Sequence, residues 1–187
     1  MREDNPQTAV QAANASTEFD GEFAIGACPH VAMLLSRHDE VAPALASFYS
    51  LGATRNGWLY HRALAGRAAT DRASLTAAGL DVAGLEAEGR MVVSEMKPDI
   101  SVHEYVHGWD GRMEAALERG FDAVWCSRFP VGPDPAKLDA STAFDLAWHE
   151  HARDRRYVSL CIFVVDALER TRRAAQLAAF HDHVVAG

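Results

Sequence analysis

Five short apolar runs recur along the chain: "HVAMLL" (His30–Leu35), "GWLYHRAL" (Gly57–Leu64), "RMVVSEM" (Arg90–Met96), "FDAVWCSRF" (Phe121–Phe129) and "YVSLCIFVV" (Tyr157–Val165). Helix-patterned segments fill the gaps between them. Continuous apolar runs with polar borders mark strands buried on both sheet faces, and parallel strands need crossover connections that helices supply. The pattern predicts right-handed βαβ units and a three-layer α/β domain: a mostly parallel sheet of five or six strands, with helices on both faces. "HDHVVAG" (181–187) is the candidate sixth strand, at an edge.

Between the strands, Val41, Leu45, Phe48 and Tyr49 predict a helix from Asp39 to Leu51 that Gly52 stops. Two short helices split at Gly79 and Asp81 are expected in 72–89, one helix from Ser101 to Arg119 with Gly120 as its stop, one capped by Asp139 or Ser141, and a last one over 167–180. The first 22 residues are polar and without period, which predicts a disordered tail before a single domain over 23–187.

Composition narrows the function. The 187 residues are 49% hydrophobic and carry a net charge of −8, which suits one globular domain and disfavours direct nucleic-acid binding. No apolar leader or membrane span is evident, and cytoplasmic residence is expected. The three cysteines, Cys28, Cys126 and Cys161, are widely spaced, and the last two fall in strand-like runs, where a reduced thiol acts as a small hydrophobe.

In a parallel sheet, ligands bind beyond the carboxyl ends of the strands. No phosphate-binding glycine motif follows any strand, so P-loop nucleotide hydrolysis is excluded. The segment "SVHEYVHGW" contains H-E-x-x-H, by which His103 and His107 would hold zinc and Glu104 would act on its bound water. Glu104 also stands three residues after Ser101, the spacing of a capping box, and this structural reading is the preferred one. Third ligands would have to come from Glu114, His149, Glu150 or His151. The strings "CPH" (28–30), "HEH" (149–151) and "HDH" (181–183) are weak ligand fragments, the last two expected to be solvated; no cofactor or resident metal is expected, and no triad order stands out.

Several of these segments together resemble a known family. "HVAMLLSRHDE", "NGWLYHRAL", "LTAAGLDVAGLEAEGRMVV", "ALERGFDAVW" and "YVSLCIF" are similar to the successive strands and connecting segments of the MEDS domain, the sensory domain named for methanogens, methylotrophs and the dichloromethane-responsive repressor. The likeness runs from about Gly21 to Val185. It implies a RecA-like domain that lacks the Walker A phosphate loop and senses a small molecule, often hydrocarbon-like. By the same resemblance, His30, Tyr60 and Cys161 correspond to the family's first-strand histidine, second-strand tyrosine and fifth-strand cysteine.

The expected protein is therefore a non-enzymatic sensory and signal-transduction domain, serving transcription regulation. Its small apolar ligand would sit between strand exits, with His30 and Tyr60 as polar anchors, His61 beside them, and Trp125, Cys126, Cys161 and Phe163 as walls. On their residue types alone, the same four wall residues read as core in preference to pocket lining. With no helix-turn-helix to spare, output would pass through a regulatory protein partner or a homodimer. A zinc hydrolase built on His103 and His107, or a ligand-free interaction scaffold, is the alternative.

Overall fold

The structure, a computed structural model, describes residues 29–97, 100–128 and 135–186. The expected tail and Cys28 lie outside the described residues. The strands are β1 (His30–Leu35), β2 (Gly57–Ala63), β3 (Met91–Glu95), β4 (Ala123–Arg128), β5 (Tyr157–Val164) and β6 (His183–Ala186). The helices are α1 (Val41–Thr54), α2 (Ala68–Ala77), α3 (Val82–Ala87), α4 (Val102–His107), α5 (Asp110–Glu118), α6 (Pro135–Ala152) and α7 (Ala167–Leu177). All strand pairings are parallel, in the order β3-β2-β4-β5-β1-β6.

Direction of travel decides which face each helix covers. A right-handed crossover places the connection on one face when the chain moves one way along the sheet, and on the other face when it returns. From β1 the chain moves outward to β2 and β3, and α1, α2 and α3 pack on one side against Val31, Met33, Leu35, Leu59, Trp125 and Leu160. From β3 it returns through β4 and β5 to β6. Here α4, α5 and α6 cover Trp58, Tyr60, Val124, Cys126 and Tyr157, while α7 covers Ala32, Leu34, Cys161 and Phe163. Every residue of β1, β2 and β5 is buried, as continuous apolar runs require.

Trp125 sets the closest packing of the first face. A Cβ on Gly52 would stand 2.7 Å from its indole and one on Gly57 would stand 2.3 Å from it, so both sites need glycine for close approach.

Three helices depart from expectation, the first being α1, which runs through its expected stop at Gly52 as far as Thr54. The segment 101–119 is α4 and α5 rather than one helix: i→i+3 bonding tightens the chain at Gly108 and turns Trp109, 1% exposed, into the aromatic cluster of the second face. The helix expected to be capped by Asp139 or Ser141 begins earlier, with Pro135 in its first turn, where a missing amide proton costs nothing. Among the described residues, no helix is long and apolar enough to cross a membrane.

Candidate functional site

The carboxyl end of β2 opens onto a cavity on each face of the sheet. On the α1 side a cavity of about 490 Å³ is lined by His38, Val41, Leu45, His61, Leu64 and Asp71, among others. Side-chain alternation aims His61 there, together with its neighbour Ser127 of β4. His61 Nε2 lies 3.1 Å from Asp71 Oδ2, and its Nδ1 lies 3.0 Å from Ser127 Oγ. Ser127 Oγ in turn lies 2.5 Å from Tyr49 Oη, which donates to the Tyr60 carbonyl at 3.1 Å. Burial raises the Tyr49 pKa well above the ordinary phenol value, so its proton stays in place.

Asp71, His61 and Ser127 are the residue types of an acyl-transfer triad in reversed orientation. A nucleophilic hydroxyl must face its substrate. Here the hydroxyl of Ser127, 3% exposed, is closed off beneath Tyr49, and the acid borders the cavity. The arrangement can orient the imidazole and present a carboxylate to a ligand.

On the opposite face a cavity of about 510 Å³ is lined by Tyr60, Arg62, Lys97, Ile100 and Arg112, among others. Arg62 is 5% exposed, and its guanidinium carbon lies 4.6 Å from the Tyr105 ring centre and 4.9 Å from that of Trp109. Its Nη1 has no hydrogen-bond partner among the described residues. Aromatic faces offset part of the cost of burying this charge.

Glu104 and the two histidines of the H-E-x-x-H segment have separate partners. Glu104 folds back on Ser101 in a complete capping box, as its spacing predicts. His103 and His107 are exposed with ring centres 4.3 Å apart, but only His107 approaches a further cluster, in which Asp110 lies 3.7 Å from His107 Nδ1 and 2.9 Å from His151 Nε2. Arg155 already places a guanidinium 2.9 Å from the same Asp110 oxygen. Burial lowers the His151 pKa below the ordinary histidine value, against the pull of Asp110.

After β1, where a phosphate loop would present its amides, the amides of Ser36 and Arg37 donate to Glu40 Oε2 at 3.0 and 3.1 Å. The chain's own carboxylate fills the place of an anion.

The expected ligand residues divide between the two faces. His61 and Trp125 point to the α1 side, and His30, Tyr60, Cys126, Cys161 and Phe163 to the other, so the sheet itself lies between them. His61 borders one cavity and Tyr60 the other. Trp125, Cys126 and Phe163 pack in the core, while His30 Nε2 lies 3.2 Å from Cys161 Sγ, with Asp145 and His181 beside them. His181, expected to be solvated, is 5% exposed. Ser127 stands at a strand exit, where ligand-contacting residues are expected, but nothing local in the sequence marks Asp71 or Asp145 as partners.

No family model matches the chain. No curated protein matches it either. Among solved structures, it is similar to an uncharacterized protein of Pyrococcus horikoshii crystallised in complex with an unknown peptide, at 9% identity and a TM-score of 0.52. The match covers 87% of this chain and 78% of that one. The likeness is one of fold.

Proposed function

We propose that this chain is a non-enzymatic sensory domain, similar to the MEDS domain, that binds a small molecule in the cavity between α1 and α2 at the exit of β2. The observation that carries the reading is the composition of that cavity: Val41, Leu45, Leu64 and Leu75 offer apolar contact, and the His61–Asp71 pair offers a fixed polar anchor, with Arg67 3.7 Å from Asp71. A few placed polar groups in a mainly apolar concavity is what small-molecule recognition requires. An anchor of this kind suits a ligand with an apolar body and one polar group.

Ligand binding would favour one placement of α1 and α2 over another and so alter a surface that a regulatory partner, or a second copy of the chain, engages. The structural neighbour's bound peptide supports protein engagement as the output.

A melting-temperature screen of small amphiphilic compounds tests the reading, since a ligand of the folded state raises the midpoint. Ala42 borders the cavity from α1. Ala42→Trp should fill the space and abolish the shift produced by any hit. A hit that shifts this variant as strongly as the parent chain binds elsewhere and overturns the assignment.

A further inference from the structure

His30 of β1, Asp145 of α6, Cys161 of β5 and His181 after α7 bring their ligating atoms within 4.8 Å of one another, and all four residues are buried. His30 and Asp145 are each 1% exposed, and Cys161 and His181 each 5%. The two imidazoles stack with ring centres 4.0 Å apart.

Both rings are held so that the same nitrogen faces inward. His30 Nδ1 lies 3.1 Å from the Phe180 carbonyl, and His181 Nδ1 lies 3.1 Å from the Leu177 carbonyl. A carbonyl oxygen only accepts, so each Nδ1 carries the proton and, in the neutral ring, each Nε2 bears the lone pair. Backbone carbonyls hold metal-binding histidines in this way and fix their tautomer. Separations within the cluster come close to those of a filled site: His30 Nε2 to Cys161 Sγ is 3.2 Å and Cys161 Sγ to Asp145 Oδ1 is 3.4 Å. Ligands about 2.0 to 2.3 Å from a tetrahedral zinc ion stand roughly 3.3 to 3.8 Å from one another.

The geometry points to a structural zinc site formed by His30, Asp145, Cys161 and His181. A thiolate and a carboxylate together balance a divalent cation, which makes the filled site neutral in its apolar surroundings of Phe163, Leu177 and Phe180. One sulfur, two imidazole nitrogens and one carboxylate oxygen favour zinc over magnesium or calcium. Four protein ligands leave no position for a substrate, so the ion would be structural. Binding releases the Cys161 proton to solvent. Position in the fold gives it a purpose: among the described residues β6 pairs with β1 alone, and His181 lies two residues before it. The ion would tie this C-terminal segment to β1, to β5 beyond it and to α6.

Elemental analysis of the reduced full chain, purified from zinc-supplemented medium, tests the site. One zinc per chain is expected, with a fall in melting temperature on removal by a strong chelator and recovery on adding zinc. Cobalt substitution should produce a thiolate-to-cobalt charge-transfer band that Cys161→Ser abolishes. His181→Gln and Asp145→Asn should weaken metal retention, while His107→Gln should leave it unchanged. Should the ligand variants fail to fold, removal and return of metal on the unaltered chain still decides. Metal-free protein whose melting temperature does not respond to added zinc overturns the proposal, and so does zinc that remains in Cys161→Ser but is lost from His107→Gln.

Discussion

Glu104 closes over Ser101: its Oε2 accepts from the Ser101 amide at 3.1 Å and from the Ser101 hydroxyl at 2.7 Å, while Ser101 Oγ accepts from the Glu104 amide at 3.2 Å. Removing the cap in Ser101→Ala should destabilise the chain by about 1 kcal/mol in urea denaturation. Glu104→Gln retains an acceptor for the Ser101 groups and should be nearly neutral. A zinc-dependent hydrolytic activity lost in Glu104→Gln would show instead that this carboxylate is catalytic.

Gly57 lies against Trp125 so closely that even a methyl group has no room, with the indole 2.3 Å and the Gly52 carbonyl oxygen 2.8 Å from a Cβ there. Gly57→Ala should cost roughly 1 to 3 kcal/mol, as overpacked cores do. Chemical denaturation with Trp fluorescence measures it. A neutral result would mean that α1 can move away from the sheet.

Arg62 is a buried cation whose aromatic contacts a methionine can keep. Arg62→Met should therefore fall within about 1 kcal/mol of the parent chain, since well-packed apolar replacements of buried charges are often neutral or stabilising. Truncation in Arg62→Ala should cost roughly 2 to 4 kcal/mol through the cavity it leaves. Similar large losses in both variants would show that the charge itself matters.

Glu40 holds the amides that a phosphate would need. Millimolar ATP with magnesium should leave the melting temperature unchanged. A reproducible upward shift would contradict this.

The lowered pKa of His151 gives stability a sign in pH. A histidine kept neutral by burial contributes fully above the unfolded value of about 6.5, and the contribution is lost as pH falls below it, because the unfolded chain takes up a proton first. Asp110 opposes the depression, and Arg155 and His107 reinforce it. His151→Gln should flatten the decline of stability between about pH 7 and 5. An unchanged slope would assign the decline to other groups.

What the sequence determined alone is what neighbouring residues decide. The strands from β1 to β5 are encoded in apolar runs, and the Ser101–Glu104 cap in a spacing of three, because burial on both faces and helix-end hydrogen bonds are satisfied within a few residues. The break at Gly108 escaped because the pull on Trp109 comes from Tyr60 and Trp148, 4.6 and 5.4 Å away across the fold. Only the tertiary structure decided which side chains share a face and meet. Alternation along β2 puts Tyr60 and His61 on opposite faces, but the reversal at β3 decides which helices wall the cavity each one borders, and it carries His30, Asp145, Cys161 and His181 to one point. Such convergence depends on strand order and crossover hand, and these are set by packing of the whole chain rather than by any local spacing.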